Sequence, residues 1–395
     1  MGPAQPSRSP LIIVFVTVFI DLLGFGIIIP LLPFYAETFG AHAFTVAMLA
    51  TSFSLMQFLF APIWGRLSDR VGRRPIIVFG LLGSCLSYLA FGLATSLTTL
   101  FAARIFAGIA GANIPTAQAV IADITTPENR AKGMGLVGAA FGLGFIFGPA
   151  IGGYLSRFGY ATPAFFASAL SLANFAAAWF LLPETLKQEH RATERVGRLD
   201  ALRAALRRPH LPLLLLIGFL VVAAFSGFES TFALFAQARY GFGAESIGYV
   251  FAFVGVMLVI VQGFLVGRTV KALGEHHIVP ISLAIVAVGL LMIPGTSTVA
   301  AMLAANGVLA VGMGFNNPAL LALISKHSAA EDQGGVLGLT QSLNSLARII
   351  GPMWGGYTFD HIGIGAPYVS SAAVMAVACA LSVAALWRQR AGAGN

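Results

Sequence analysis

The sequence predicts an all-α membrane protein with twelve transmembrane helices in two pseudo-symmetric six-helix bundles. Composition is the first reason, because 57% of the residues are hydrophobic and only 10% are charged, whereas soluble domains carry about 25% charged residues. The second reason is a succession of long apolar runs, each close to the ~20 residues that a helix needs to cross a bilayer. The third is an internal repeat that relates the two halves of the chain.

Short polar breaks divide the chain into twelve apolar runs. We place the spans at residues 11–34, 43–64, 75–95, 99–122, 133–156, 160–182, 211–237, 245–267, 277–296, 298–325, 333–358 and 364–387. The first run is too long for the apolar region of a cleavable signal peptide, so the first helix is expected to remain. Cys85 and Cys379 lie in distant apolar runs, so neither a disulfide nor a metal site is expected.

The basic residues are distributed unequally between the two sides of the predicted membrane. With a cytoplasmic N-terminus, 19 of the 23 lysines and arginines fall in cytoplasmic segments. Only Arg157 and Arg239 fall on the opposite side, and Arg104 and Arg348 lie inside spans. The positive-inside rule therefore predicts that both termini are cytoplasmic, in a cell membrane that we take to be a bacterial inner membrane. Because the basic residues occupy short breaks and not one folded surface, the net charge of +8 does not indicate nucleic-acid binding.

The longest polar segment, residues 183–210, divides the spans into six and six. It predicts an N-terminal bundle at 1–182, a cytoplasmic linker at 183–210 and a C-terminal bundle at 211–395. Leucines at helical spacing within 199–208 fit a basic amphipathic helix on the membrane surface, and a solvated linker fits equally well.

The second half repeats the order of rare residues in the first half. At a shift of 203 residues, Gly148-Pro149 aligns with Gly351-Pro352, and Gly152-Gly153 aligns with Gly355-Gly356. Each half holds an even number of spans, so both halves have the same orientation. They are predicted to be parallel repeats related by an axis along the membrane normal.

Four ionisable residues lie well inside the spans, namely Asp21, Glu229, Arg104 and Arg348. Charged side chains in lipid are costly and usually face a cavity or a partner. Because desolvation disfavours the charged form of a carboxylate, Asp21 and Glu229 are candidates to take up and release a proton. The alternative is a carboxylate held permanently for packing. Arg104 could also extend toward the outer interface, and Arg348 could pair with Glu229.

Amide side chains inside the spans are candidates for the wall of a substrate cavity, together with Arg348. They are Gln57, Asn113, Gln118, Gln262, Asn316, Asn317, Gln341 and Asn344. Amides within membranes also join helices to each other, so each has a structural alternative. Some of the 32 phenylalanines would give such a cavity an apolar, adaptable wall.

The polar stretch from Gly65 to Pro75 separates the second and third spans and carries five charged residues. Under the repeat, Asp69 maps to Lys271, and Asp123, at the end of span four, maps to Lys326. A turn with a purely structural role does not need this inversion. We therefore expect Asp69, Arg70 and Asp123 to form a charge cluster that acts as a conformational latch, within a stretch that also contains Gly65, Gly72, Arg73 and Arg74.

The same stretch resembles the signature G-x-L-x-D-R-x-G-R-R of the major facilitator superfamily, found between its second and third helices. The run that begins at Arg104 resembles the fourth-helix pattern of the family, and this implies a role for Arg104 in proton coupling. Span five resembles the pattern of exporters that exchange substrate for protons. Its glycines and proline favour a kinked, closely packed helix that acts as a gate, and ordinary helix packing is the alternative. The gate residues are Gly144, Gly148, Pro149, Gly152 and Gly153.

Leu23-Gly24, Pro30 and Pro33 resemble the first-helix pattern of drug exporters, and the chain is most similar to drug/proton antiporters that include the tetracycline exporters. It departs from the tetracycline exporters at three places. Ser87 stands where they carry an acid in helix three, Leu258 stands where they carry a histidine four residues before a glutamine, and residues 277–296 lack their acid.

The expected function is proton-coupled export of apolar or amphipathic small molecules such as drugs, by alternating access and with a role in antibiotic resistance. The proton is the expected coupling ion, no cofactor is expected, and the partners are a small-molecule substrate and the lipid bilayer around a monomer. One alternative is a transporter of a specific polar metabolite, and another is a transport-inactive receptor or scaffold. An enzyme is not expected, because HExxH, GxSxG and P-loop motifs do not occur.

Overall fold

The computed structural model describes residues 8–111, 114–125, 127–186, 208, 210–328 and 333–392. Every regular element within these ranges is helical, as predicted. The first half contains α1 (Arg8–Ile28), α2 (Leu32–Glu37), α3 (Ala43–Val71), α4 (Arg73–Gly92), α5 (Leu97–Ala110), α6 (Ile114–Ile124), α7 (Pro127–Leu155) and α8 (Thr162–Leu181). The second half contains α9 (Leu211–Tyr240), α10 (Ala244–Ile260), α11 (Val266–Leu273), α12 (Glu275–Met292), α13 (Val299–Lys326), α14 (Gln333–His361) and α15 (Ala366–Gly392).

Ten helices in the described ranges are long and apolar enough to cross a membrane. Within the predicted fourth span, the described residues form α5 and α6. The predicted eleventh span is α14, a continuous helix whose sequence includes several polar side chains. Span eight continues from α10 to α11 through a π-helical turn at Val261–Leu265. These helices together account for the twelve predicted spans.

Local sequence signals explain several helix ends. The Ser96 side chain accepts a hydrogen bond from the Thr99 backbone N–H, which caps the start of α5. Gly72 and Gly274 have φ angles of +121° and +73°, values that side chains disfavour and glycine tolerates. Each glycine ends one helix and begins the next, and the two positions are equivalent in the repeat.

The described residues form two compact units. Within the described ranges, unit 1 draws on residues between 8 and 41, 52 and 186, and 243 and 252, and unit 2 on residues between 42 and 51, 208 and 242, and 253 and 392. In unit 1, α1 packs against α7 and α8, and α4 packs against α5 and α8. In unit 2, α9 packs against α14 and α15, and α12 packs against α13 and α15. The predicted bundle boundaries at 182 and 210 stay a prediction, and most of the predicted linker, including residues 199–207, lies outside the described residues.

Each unit has its own apolar core. Unit 1 buries aliphatic side chains of α1, α4 and α6, including Val14, Leu81 and Ile121. Unit 2 buries aromatic rings, with the Phe235 ring centroid 5.0 Å from that of Tyr368. The ionisable side chains inside the spans are therefore set against apolar surroundings, where an interaction between charges is screened less than in water.

Candidate functional site

Asp21 lies in the interior of unit 1 on α1. The hydroxyl of Ser84, on α4, donates a hydrogen bond to Asp21 Oδ1 at 3.1 Å. Ser84 was not among the predicted site residues, because a serine in an apolar helix gives no sequence signal that separates a partner of a carboxylate from a packing residue. The carboxylate thus joins two helices and has a fixed donor.

Arg104 on α5 is 5% exposed. Its Cζ atom lies 4.4 Å from the centroid of the Phe53 ring, a cation–π contact with α3. Its Nε atom has no hydrogen-bond partner among the described residues. This placement over a ring inside unit 1 differs from the alternative in which the side chain extends toward the outer interface.

Tyr88, also absent from the predicted site, lies on α4 within electrostatic reach of both charged residues. It is 7% exposed, and the charges of Asp21 and Arg104 both act on it. Ser84 and Tyr88 are four residues apart on α4, so they share one face of that helix. The sequence shows that Ser84 and Tyr88 share a helix face, but it does not show that this face packs against α1.

Glu229 and Arg348 are the corresponding ionisable residues of unit 2. Arg348 on α14 is exposed and acts electrostatically on Glu229 on α9. The two helices pack closely because glycines meet, and a Cβ atom added at Gly355 would lie 2.7 Å from the Gly227 carbonyl oxygen. The two residues are thus within electrostatic reach of each other, and their direct pairing stays a prediction.

The predicted cavity amides occupy different environments. Gln118, Gln262, Asn317 and Gln341 are exposed, and Gln57 and Asn344 are half-buried. Asn316 is fully buried, and its Nδ2 donates to Ser282 Oγ at 3.1 Å, which joins α13 to α12. It therefore has the helix-joining role that was the alternative for each amide. Asn113 lies outside the described residues.

The glycines of span five pack against α1. A Cβ atom added at Gly148 would lie 2.7 Å from the Gly26 Cα, and one at Gly144 would lie 3.0 Å from the Leu22 Cβ. Gly152 faces Ile27 in the same way, and Pro149 lies inside the helix. Glycine is the residue that allows two helices to approach this closely. The face therefore places α7 directly beside the helix that carries Asp21.

The predicted outer end of α7 also packs within unit 1 on the start of α10. A Cβ atom added at Gly153 would lie 3.0 Å from the Gly248 Cα, and the Arg157 guanidinium pairs with the Glu245 carboxylate. The equivalent end of α14 lies in unit 2, where Asp360 Oδ2 accepts a hydrogen bond from the Phe44 backbone N–H at 2.8 Å. Position 360 is equivalent to position 157 in the repeat, so both copies form a polar contact there.

At the predicted cytoplasmic end of unit 1, the cation between the two aspartates is Arg73, and not Arg70 as expected. Arg73 is 6% exposed, its Nε donates to Asp123 Oδ2 at 3.1 Å, and its Nη1 donates to Asp69 and to Ser68. Arg70 is exposed, because it follows Asp69 directly on α3 and so leaves the helix in a different direction. Asp69 and Asp123 do lie in one cluster, as expected.

Glu184, which the sequence did not single out, completes this cluster. Its Oε1 accepts hydrogen bonds from the backbone N–H groups of Arg73 at 2.9 Å and Leu186 at 3.0 Å. Its Oε2 accepts one from the Arg74 N–H at 3.3 Å. A carboxylate at this place satisfies the free N–H groups at the start of α4 and interacts favourably with the helix dipole. Because Glu184 is more than 100 residues from Arg73, sequence spacing did not connect them.

The equivalent cluster of unit 2 has its charges inverted. Arg73 maps to Glu275 at the start of α12, and Lys326 Nζ lies 2.6 Å from Glu275 Oε1. Asp123 maps to Lys326, so the Arg73–Asp123 pair and the Glu275–Lys326 pair are repeat-related with opposite signs. The inversion that the sequence showed at two positions therefore extends to a third.

The chain matches the sequence pattern of the Major Facilitator Superfamily over residues 14–279 and 260–395. It is 32% identical to multidrug resistance protein 2 of Bacillus subtilis over 392 residues, which cover 97% of this chain and 96% of the relative. It is also 32% identical to the class C tetracycline resistance protein of Escherichia coli over 355 residues, or 88% and 89% of the two chains.

Among solved structures, the fold is similar to that of the human organic anion transporter MFSD10. The two share 26% sequence identity with a TM-score of 0.75, over 96% of this chain and 100% of that chain. Sequence pattern, relatives and fold thus agree over nearly the whole length.

Proposed function

The chain belongs to the major facilitator superfamily, whose members are transporters and not enzymes, and from this premise we propose that it exports apolar or amphipathic small molecules in exchange for protons. Export would proceed by alternating access, in which the substrate site opens to each side of the membrane in turn. The similarity to a multidrug resistance protein over 97% of the chain supports drugs as the cargo.

The observation that carries the proton coupling is the group around Asp21, a half-buried carboxylate inside unit 1. A carboxylate inside a membrane span is energetically costly and usually has a function. Asp21 accepts a hydrogen bond from the Ser84 hydroxyl, and Arg104 lies in the same unit. A proton taken up by Asp21 removes one negative charge from the interior of unit 1, which changes the electrostatics around Tyr88. Such a change can shift the balance between two conformations if they hold Asp21 differently.

The proposed setting is a bacterial inner membrane with both termini in the cytoplasm. The uneven distribution of lysines and arginines supports this orientation, and the similar resistance proteins come from bacteria. We propose that the chain acts as a monomer, which light scattering of the purified protein in detergent would test.

The proposal is tested with purified protein in liposomes that carry a pH gradient and a pH-sensitive dye. We expect addition of an amphipathic cationic drug to move protons opposite to the drug. Asp21→Asn should abolish this proton movement, whereas Glu37→Gln, a carboxylate outside the candidate spans, should retain it. If Asp21→Asn moves drug against a gradient as well as the wild type, Asp21 is not the proton carrier.

The cargo is the second variable of the same assay. Tetracycline belongs in the compound panel because of the relatives, although Ser87 and Leu258 depart from the tetracycline-exporter pattern. Organic anions belong there because of the similarity to MFSD10, and they represent the alternative of a specific polar cargo. A protein that moves none of these compounds, and no protons, would instead be a receptor or scaffold.

A further inference from the structure

Tyr88 is placed to connect the two charged residues of the unit 1 interior. It lies on α4, while Asp21 lies on α1 and Arg104 on α5, and both charges act on it. A tyrosine hydroxyl can donate one hydrogen bond and accept others. It is therefore suited to a position between a carboxylate, which only accepts, and a guanidinium, which only donates.

The face of α4 that meets α1 presents two hydroxyl-bearing side chains. Ser84 already donates to Asp21 Oδ1 at 3.1 Å, and Tyr88 follows one helical turn later. An ionised carboxylate has about four acceptor positions on its two oxygens. Asp21 therefore has room for a second donor from the same helix.

Gly24 provides the space that the Tyr88 ring occupies. A Cβ atom added at Gly24 would lie 3.0 Å from Tyr88 Cε2 and 3.1 Å from the Tyr88 hydroxyl oxygen. Gly24 is three residues after Asp21, on the same turn of α1. The ring thus packs on the helix surface beside the carboxylate, and a larger residue at position 24 would displace it.

Arg104 supplies the other half of the connection. Its guanidinium covers the Phe53 ring on one side, and its Nε has no hydrogen-bond partner in the described part of the chain. An unpartnered buried donor is destabilising, because it has lost its hydrogen bonds to water. A hydroxyl that turns toward Arg104 would reduce this cost.

We propose that Tyr88 is a positioning residue that couples the protonation of Asp21 to Arg104. When Asp21 is ionised, the Tyr88 hydroxyl donates to the carboxylate. When Asp21 is protonated, the hydroxyl is released and accepts from Arg104, so the movement of one proton onto Asp21 rearranges contacts among α1, α4 and α5. Tyr88 keeps its own proton throughout. This inference rests on the proposed proton coupling.

Few other ionisable groups lie on the helices that surround Tyr88. Among the described side chains of the helices packed on α1 and α4, α8 carries no ionisable residue and α7 carries only Tyr154, near its far end. On α3 and α6 the charged residues are Arg66, Asp69, Arg70 and Asp123, and all four lie at the predicted cytoplasmic end. Asp21 and Arg104 are therefore the charged groups that Tyr88 faces within the described residues.

The test compares two tyrosine-to-phenylalanine variants in the liposome assay, measured across a range of pH. Tyr88→Phe keeps the ring and removes the hydroxyl. We expect drug-driven proton flux to fall about tenfold, the effect of losing one hydrogen bond to a charged group. We also expect half-maximal transport to move by about one pH unit toward alkaline pH, because the ionised carboxylate loses a donor. Tyr368→Phe is the control, since Tyr368 is also fully buried but has no charged residue acting on it.

Gly24→Ala supplies a second variant, which retains the Tyr88 hydroxyl but displaces the ring that carries it. We expect it to lower the flux in the wild type and to have little further effect in the Tyr88→Phe background. An unchanged pH profile in Tyr88→Phe, beside a wild type that does couple protons to drug, overturns the role of Tyr88 alone. A wild type without drug-driven proton flux overturns both this inference and the proposed function. If Tyr88→Phe does not fold, an unchanged pH profile in Gly24→Ala overturns the inference.

Discussion

Arg73 occupies an unusual position for a cation, because it begins α4, where the helix dipole disfavours positive charge. The three carboxylates around it explain how it is held. Asp69 and Asp123 contact the guanidinium, and Glu184 accepts from the backbone N–H groups. Glu184 thus compensates the positive end of the helix dipole, and the two aspartates compensate the charge of the Arg73 side chain.

This arrangement predicts a large difference between two neighbouring arginines. Arg73→Ala should lower the free energy of unfolding by about 2 kcal/mol, because it leaves partly buried carboxylates without their cation. Arg70→Ala, at an exposed position, should change it by less than about 0.5 kcal/mol. Thermal unfolding of both variants in the same detergent measures the difference. Equal melting temperatures would show that Arg73 is not the centre of the cluster.

At the residue scale, the sequence singled out candidate ionisable residues more readily than it identified their partners. Asp21, Arg104 and Glu229 were found because ionisable residues in apolar runs are rare. Ser84, Tyr88 and Glu184 were missed because their partners are distant in sequence, and only the packing of helices brings them together.

At the scale of the helix, the α1–α7 contact depends on the absence of side chains. Gly26 and Gly148 lie so close that a methyl group at position 148 would press on the α1 backbone. Backbone atoms cannot rotate away as a flexible side chain can. The contact is therefore sensitive to the smallest substitution.

Two glycines of α7 provide a matched comparison. Gly148→Ala should lower the free energy of unfolding by about 1–3 kcal/mol through overpacking. Gly138 lies on the same helix, and a methyl group added there would have nothing within 4 Å. Gly138→Ala should therefore leave the free energy of unfolding unchanged or raise it slightly, because alanine favours a helix. Unfolding curves of the two variants would decide, and a Gly148→Ala protein as stable as the wild type would contradict the close packing.

The sequence predicted the helices as apolar runs but not their interruptions. Span eight contains a π-helical turn that includes Gln262. Hydropathy reports whether a segment is apolar, and it does not report the pattern of backbone hydrogen bonds.

At the scale of the whole chain, the internal repeat places a charge cluster at the same position in each half, but the two clusters differ in composition. Both copies place a positive-φ glycine before a charged residue that begins a helix, namely Arg73 after Gly72 and Glu275 after Gly274. Glu275 suits the helix dipole by itself, whereas Arg73 requires Glu184. The turn in unit 1 therefore contains more charged groups than the equivalent turn in unit 2, which is consistent with a specialised role.

We expect that role to be a latch that holds one conformation of the transport cycle. Because Asp69 and Asp123 share Arg73, removing either one changes the environment of the other. In transport assays, the effects of Asp69→Asn and Asp123→Asn should therefore not add, and the double variant should differ from the product of the single effects by about twofold or more, which corresponds to a coupling energy of about 0.5 kcal/mol.

A matched pair in unit 2 makes this test specific. Glu275 and Lys326 contact each other, but Lys326 is mostly exposed, and isolated exposed pairs contribute little. The variants Glu275→Gln and Lys326→Gln should therefore combine additively in the same assay. If the Asp69 and Asp123 effects are also additive, the cluster around Arg73 is only a structural turn, and the conformational switch must be sought among Asp21, Tyr88 and Arg104.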